Sequence, residues 1–217
     1  LTSRAASFTG FFYNNLLRSV TEKQKIPIDL SYLNKEGGPS LVEMDLEIGS
    51  KTPKNAFDFI YNLTLSILDK SPKANVAILS KFKDSIRELQ RVFIGVSNDN
   101  VKIETVDRVQ GLTVDYCLFF IPNVSVNYSL DKELFNVATS RARFCTIIIS
   151  DKSLFNNNMA IEVRKYLLKT QEDKFISFEP KIITSGNVSI SVVDKINLTA
   201  FQKKNNVYII DTNIFID

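Results

Sequence analysis

Short apolar runs alternate with amphipathic segments between residues 75 and 169. The apolar runs predict strands, and the segments between them predict helices because their apolar residues recur at helical spacing. Near-continuous apolar strands separated by helices are typical of a parallel sheet covered on both faces, so the predicted fold class is α/β. The predicted strands are 75–80, 101–105, 116–122 and 145–150, and the predicted helices are 83–93, 132–143 and 160–169.

The flanking segments follow other patterns. Residues 8–20 have helical spacing, residues 41–47 alternate like a strand, and a helix begins at Pro53. We expect one domain at 1–173, a connector or tail at 174–205 with strands near 175–184 and 187–193, and the start of another unit at 206–217. The predicted apolar faces are Phe8, Phe11, Phe12 and Leu16 in the first helix, and Phe57, Ile60, Tyr61, Thr64, Leu65 and Leu68 in the second.

The composition limits the kinds of catalytic and metal site that the chain can contain. Of 217 residues, 44% are hydrophobic and 24% are charged, as in an ordinary folded protein. The absence of histidine excludes catalysis by a histidine base and argues against a zinc site. Cys117 and Cys145 lie in apolar runs, so we expect them to be core residues. The net charge of +3 permits nucleic-acid binding without arguing for it.

Targeting signals are also missing from the sequence. No apolar run approaches the about 20 residues of a membrane-spanning helix, and no secretion signal begins the chain. We therefore expect a cytoplasmic protein with no membrane partner. The chain opens on Leu1 rather than methionine, so we expect it to be a piece of a longer polypeptide.

Two segments contain candidate chemistry. In residues 104–120, a strand ends at Thr105, a polar turn contains Gln110 and Gly111, and an apolar strand follows. Thr105 and Gln110 have side chains that bond phosphate or sugar oxygens, and Gly111 permits close approach of the backbone to a ligand. The alternative is a plain strand–turn–strand with a solvated turn.

The second segment is 135–149. On a helix, Asn136, Ser140 and Arg143 share one side while Arg141 points elsewhere. An arginine at a helix end presents a planar fork of donors to a phosphate, and one inserted into a nucleotide site stabilises phosphoryl transfer. The alternative is a surface helix whose two arginines extend to solvent.

Both segments, in this order, resemble motifs of superfamily 1 helicases. TVDRVQGLTVDY (105–116) resembles motif V in its Upf-like and RecD-like form, and FNVATSRAR (135–143) resembles motif VI. Arg4-Ala5-Ala6, with Asn14 ten residues after Arg4, resembles motif IV of UvrD-like enzymes. NVAILSKFKDSIREL (75–89) resembles the strand and helix whose first loop touches the nucleic-acid backbone. The resemblance covers about residues 1–155.

This resemblance implies a RecA-like second motor domain of an ATP-dependent helicase. It implies that ATP and Mg²⁺ are bound mainly by an N-terminal RecA-like domain of the same polypeptide, and that single-stranded DNA or RNA is the other partner. The implied residues are Arg141 and Arg4 for the γ-phosphate, Gln110 and Gly111 beside the nucleotide with a smaller role for Arg143, and Ser80, Lys81, Lys83 and Thr105 for the nucleic-acid backbone.

The sequence also departs from the motifs. Thr113 replaces the acidic residue expected two positions after Gly111, and Ser3 replaces the tyrosine expected before Arg4. No G-x-x-x-x-G-K-[ST] phosphate loop is present, since the segment 49–52 lacks the earlier glycine. We expect the chain alone to be inactive. These departures keep open a degenerate helicase domain that binds nucleic acid or protein without acting as a motor.

The last apolar segment, VYIIDTNIFID (207–217), resembles the first strand of a PIN nuclease domain. The resemblance implies that Asp211 is a metal ligand, with the other acidic ligands beyond Asp217. The alternative is a final strand of the present domain. A parent protein in which the helicase domain delivers substrate to a nuclease is therefore a further hypothesis.

Overall fold

A computed structural model describes residues 1–14, 16–17, 25–96, 99–176, 181–185 and 188–192, with side chains through residue 172. The chain divides into two compact units, Leu1–Gln171 and Glu172–Asp217. The first unit contains the predicted motifs. The segment 206–217 and Asp211 lie outside the described residues.

The first unit is built on a sheet of five parallel strands, in the order β1-β5-β4-β2-β3. Every neighbouring pair is parallel, which confirms the predicted α/β class. The strands are β1 (Gly38–Met44), β2 (Val76–Ser80), β3 (Val101–Thr105), β4 (Val114–Phe120) and β5 (Ala142–Asp151).

Helices cover both faces of this sheet. Those involved are α1 (Ser3–Thr9), α2 (Lys54–Lys70), α3 (Lys83–Val92), α4 (Val126–Ser129), α5 (Lys132–Thr139) and α6 (Ile161–Ile176). Short 3-10 helices occur at Gly10–Tyr13, Val106–Arg108 and Leu154–Asn156. The second unit contains an antiparallel hairpin, β6 (Lys181–Ser185) and β7 (Val188–Val192).

Successive side chains of each strand point to opposite faces of the sheet, so each face has its own hydrophobic core. In β4, Cys117 and Phe119 belong to one core, while Tyr116 and Leu118 belong to the other. The first core is formed with α1, α5 and α6, and its side of the sheet is called face 1 here. The second is formed with α2 and α3. Buried aromatic rings of face 1 fix its helices against one another, with centroid distances of 5.2 Å for Phe8–Tyr166 and 5.3 Å for Phe135–Tyr166.

The first helix differs from the prediction of 8–20. It begins earlier because the buried Thr2 caps it, accepting a hydrogen bond from the backbone N–H of Ala5. It continues as a 3-10 turn that ends at Asn14, whose left-handed φ of 51° redirects the chain. Leu16 was predicted on the apolar face, but it is 80% exposed.

The predicted helix 132–143 is also wrong at its end. The helix stops at Thr139, and β5 begins at Ala142 because the Arg141 carbonyl already accepts a hydrogen bond from Val114 N–H of β4, at 3.1 Å. Arg143 therefore lies in a strand. It does not share a helical face with Asn136 and Ser140, so that part of the sequence argument fails.

Most other elements lie where they were predicted, with shifted bounds. The helix after Pro53 buries Phe57, Ile60 and Thr64 as expected, and β3 matches the predicted range. Residues 175–176 belong to α6 rather than to a strand. Within the described part of the chain, no helix is both long and apolar enough to cross a membrane.

Candidate functional site

Arg141 lies at the turn between α5 and β5, half-buried. Its Nε donates to the Val137 carbonyl at 2.8 Å, its Nη2 to Ser140 Oγ at 2.9 Å, and its Nη1 to the Leu112 carbonyl at 3.4 Å. A guanidinium has five N–H donors. Two of them have no partner among the described residues, so the side chain is held in place and keeps one donor on each terminal nitrogen for a ligand.

The segment that follows β3 contacts Arg141. Val106 and Val109 are buried in the core of face 1, while Gln110 and Gly111 are exposed. Gly111 has a φ of 82°, a conformation that favours glycine. The next residue, Leu112, bonds Arg141 through its carbonyl. The structure therefore brings Arg141 into contact with the residue that follows Gln110–Gly111, at the amino ends of β4 and β5, a region called the amino edge here.

Arg4 lies at the same edge, against β1. Its Nη1 donates to the carbonyls of Gly37 and Pro39, and its Cζ lies 4.8 Å from the centroid of the Phe8 ring. Gly38 is paired with Cys145 of β5, and Arg141 precedes Cys145 by four residues. At about 3.3 Å per strand residue, the two arginines are separated by roughly 13 Å along the sheet. They share a face and an edge, but they do not touch.

Arg143 has a different environment. Its Nη1 lies 3.7 Å from Asp115 Oδ1, and its side chain is 61% exposed. The other oxygen of Asp115 accepts the backbone N–H of Asn75 at 3.0 Å. This exposed ion pair contributes little to stability and does not include Arg141.

The residues predicted to contact nucleic acid gather at the opposite end of the sheet, the carboxyl edge. Ser80 and Thr105 are register partners at the ends of β2 and β3, and both are buried. Lys81 Nζ lies 3.1 Å from an oxygen of Asp107, and Lys83 is exposed at the start of α3. The structure thus brings these four residues together and separates them from the arginines.

The two cysteines lie inside the cores that support these edges. Burial raises the pKa of Cys117 to about 12, and the charge of Arg141 opposes that rise. Burial likewise raises the pKa of Cys145 to about 12. Both thiols are therefore protonated at neutral pH and are not nucleophiles.

Sequence reasoning missed a contact beside Arg141. Asn136 Nδ2 donates to the Tyr13 hydroxyl at 3.0 Å, although the two residues are 123 positions apart. Tyr13 is 49% exposed. The only signal in the sequence is a tyrosine that ends the apolar Phe-Phe pair at 11–12.

A metal site is not evident from the described side chains, which contain no group of three or more Cys, Asp or Glu residues placed to hold an ion. The chemistry of the amino edge is instead that of cationic donors. Such donors bind anionic oxygens, including those of phosphates.

The fold and this edge define a parallel α/β domain that presents arginines beside a glycine turn, an arrangement consistent with the RecA-like fold predicted from the sequence. A family model, AAA_12, described as an AAA domain, matches residues 10–153. The chain belongs to this AAA domain family.

Among solved structures, the chain is similar to the C-terminal domain of a possible DNA helicase from Lactobacillus plantarum WCFS1. The sequences are 12% identical, with a TM-score of 0.45, over 75% of this chain and 89% of that one. No curated protein matches the chain significantly.

Proposed function

We propose that this chain is the second motor domain of an ATP-dependent superfamily 1 helicase and that Arg141 is its γ-phosphate arginine. The observation that carries this proposal is the state of the Arg141 side chain. Three hydrogen bonds, to Val137, Leu112 and Ser140, hold it in place, and its two remaining donors have no partner in the described part of the chain. A fixed cation with spare donors suits charge that develops on a transferred phosphoryl group.

The nucleotide site needs a second lobe. The triphosphate and Mg²⁺ would be held mainly by an N-terminal RecA-like domain of the same polypeptide, because this sequence contains no phosphate loop. When bound, the magnesium ion would neutralise charge on the phosphate oxygens. The residues of this chain would bind and orient the terminal phosphate from the other side, with Arg141 nearest and Arg4 along the same edge.

The carboxyl edge supplies the proposed nucleic-acid contacts. Lys81 and Lys83 would contact the strand backbone, while Ser80 and Thr105 are buried at the strand ends beside them and would hold this edge in place. The Lys81–Asp107 pair is partly exposed, and exchanging its carboxylate for a strand phosphate costs little. Backbone contacts of this kind are sensitive to salt and weakly specific for sequence.

Thr113 favours a second candidate function. It is exposed beside Gly111, where motif V has an acidic side chain, so a ribose contact made there would be lost. A degenerate domain that only binds nucleic acid or protein is the alternative. Linkage to a PIN nuclease through Asp211 stays a prediction, because that residue lies outside the described structure.

The test is Arg141→Ala in the full-length polypeptide, with Arg143→Ala as the matched control. The change at position 141 should lower strand-stimulated ATPase by about 10³-fold or more, the effect of removing an arginine from a phosphoryl-transfer site. Single-strand affinity should stay within about twofold of wild type, because the phosphate contacts that dominate this affinity lie at the other edge.

Arg143→Ala removes a strand arginine of equal charge at the same edge, so it should keep most of the activity. Near-normal turnover in Arg141→Ala would contradict the motor function. Equal losses in the two variants would point instead to a general effect of positive charge at the edge.

A further inference from the structure

Lys81 is bound by a carboxylate of its own chain at the carboxyl edge. Its Nζ donates to both oxygens of Asp107, at 3.2 Å to Oδ1 and 3.1 Å to Oδ2. By comparison, the Nζ of Lys51 lies 3.7 Å from the nearest oxygen of Asp84, which is beyond hydrogen-bond distance. The Lys81 ammonium therefore already directs its donors at an anion.

The backbone on both sides of this ion pair is anchored. Lys81 follows Ser80, Asp107 follows Val106, and both of these preceding side chains are buried. Ser80 is the register partner of Thr105, which lies two residues before Asp107. The pairing of β2 with β3 therefore sets the distance between the lysine and the aspartate. The contact belongs to the sheet edge, and it does not depend on two surface loops that happen to meet.

The aspartate is the partner that can leave. The Lys81 side chain is 30% exposed, whereas that of Asp107 is 61% exposed. Among the described residues, Lys81 is the one hydrogen-bond donor to the Asp107 carboxylate, so turning this group into solvent breaks no other bond. A phosphate presents the same kind of anionic oxygen to an ammonium. Asp107 thus occupies the position on Lys81 that a strand phosphate would need.

We propose that Asp107 is an internal competitor for the strand phosphate that Lys81 binds, and that it lowers the affinity of the carboxyl edge for single-stranded nucleic acid. This inference rests on the proposed function and adds the group that regulates the strand contact. Strand binding exchanges one ion pair for another and leaves the displaced carboxylate close to the phosphate. A contact opposed in this way breaks easily, which suits a domain that must release the strand at each step.

The experiment removes the charge of Asp107 and keeps its shape. In the full-length protein, Asp107→Asn should bind a labelled oligothymidylate and a labelled oligouridylate about 3-fold to 20-fold more tightly than wild type in anisotropy titrations at about 0.05 M salt. Loss of the exposed ion pair accounts for about 2-fold to 5-fold. Loss of repulsion between like charges about 5 Å apart in water accounts for about fourfold. Because salt screens both contributions, the gain should fall below about twofold at about 0.5 M salt.

A Lys81→Ala background separates competition for the lysine from general repulsion of the strand. Lys81→Ala alone should weaken strand binding by about 2-fold to 10-fold. Adding Asp107→Asn to it should change the affinity by about twofold or less, because no lysine remains for the carboxylate to occupy. Asp84→Asn is the matched charge control, since Asp84 is 55% exposed at the start of α3. It should also stay within about twofold of wild type.

The contrary results are distinguishable. If Lys81→Ala weakens binding but Asp107→Asn does not strengthen it, the competition is refuted while the strand contact stands. An equal gain in the Lys81→Ala background or in Asp84→Asn would show general repulsion and would also overturn the proposal. Unchanged binding in Lys81→Ala would overturn it together with the proposed strand contact at this edge. Thermal unfolding checks each variant, and Asp107→Ser is a second neutral variant if Asp107→Asn unfolds.

Discussion

Replacing Gly38 by alanine tests whether α1 and Arg4 pack against the start of β1. Gly38 begins β1 with a φ of 78°. A Cβ added there would lie 2.9 Å from Arg4 Nη1, 3.1 Å from the backbone nitrogen of Ala5 and 3.3 Å from its Cα. The arginine could move only by giving up its bonds to the carbonyls of Gly37 and Pro39, and Ala5 belongs to a helix backbone.

The size of the effect follows from two contributions. A left-handed backbone costs an alanine about 1–2 kcal/mol. Overpacking against atoms that cannot retreat adds about 1–3 kcal/mol. Gly38→Ala should therefore lower the free energy of unfolding by about 2–5 kcal/mol.

Gly49→Ala is the matched control, because Gly49 has nearly the same φ, 80°, but no atom within 4 Å of its added Cβ. This variant should lose only the backbone contribution, about 1–2 kcal/mol. The effect of alanine on the unfolded chain is common to both variants and cancels in the comparison. The difference between them, about 1–3 kcal/mol, isolates the contact with α1.

Urea denaturation followed by circular dichroism measures this difference. With a slope of about 2 kcal/mol per M, the midpoint of Gly38→Ala should lie about 1 M below that of Gly49→Ala. ATPase of the full-length protein should fall in Gly38→Ala alone, because Arg4 is displaced. Equal midpoints for the two variants would show that α1 is not packed against the start of β1, and the placement of Arg4 would then be wrong.

Two further predictions concern protonation. Asp151 is partly buried, which opposes ionisation, but hydrogen bonds from Ser153 and from Leu46 N–H outweigh this and lower its pKa. Its stabilising contribution is therefore complete above the unfolded pKa of about 3.9 and is lost as pH falls through the lower folded value, so Asp151→Asn should cost about 1.5–3 kcal/mol at pH 7 and progressively less toward pH 3 in urea titrations. A constant difference across this range would contradict the reasoning. Because the pKa of both Cys117 and Cys145 is raised to about 12, neither thiol should react with an aromatic disulfide reagent at pH 8 until urea unfolds the protein, and rapid labelling of the native state would refute their burial.

The periodic parts of the chain were predictable because burial alone determines their pattern. The strand 76–80 is buried at every position, as expected for a central parallel strand. The helix Lys54–Lys70 was predicted from Pro53 at its start and an apolar stripe between Phe57 and Leu68. In both cases the signal lies in the side chains of the element itself.

The errors occurred where a distant contact decides the local structure. The end of α5 depends on the hydrogen bond between Val114 N–H and the Arg141 carbonyl, which only the pairing of β4 with β5 creates. Helical spacing continues past this point in the sequence, so periodicity could not reveal it. The start of α1 depends on one threonine cap, a feature too short for a periodic signal.

The grouping of candidate residues was predictable only in part. The resemblance implied that Arg141 and Gln110 lie near each other; the structure shows Arg141 in contact with Leu112, two residues after Gln110. The separation of Arg4 from Arg141 depends on the register of β1 against β5, which no local pattern encodes. The bond between Tyr13 and Asn136 depends on packing between the 3-10 helix Gly10–Tyr13 and α5, and it was missed for the same reason.

The segment between β3 and β4 runs from the carboxyl edge of the sheet to the amino edge. Ser80 of β2 is the register partner of both Thr105 in β3 and Phe120 in β4, so these three residues lie at the same level of the sheet. To begin β4 at Val114, the chain must therefore run back along the sheet by the length of six strand residues. That distance is about 20 Å at 3.3 Å per residue. The connecting residues 106–113 comprise a three-residue 3-10 helix and a turn in which the Leu112 N–H donates to the Val109 carbonyl at 3.0 Å.

This connection is short. Parallel strands are usually joined by a dozen or more residues with a full helix, which can absorb small shifts at one end. In this protein the segment 106–113 packs beneath α5 with Val106 and Val109 buried, so moving the segment away from the sheet would expose both side chains. We therefore expect a displacement of Thr105 at the carboxyl edge to shift Leu112, whose carbonyl accepts a hydrogen bond from Arg141 at the amino edge.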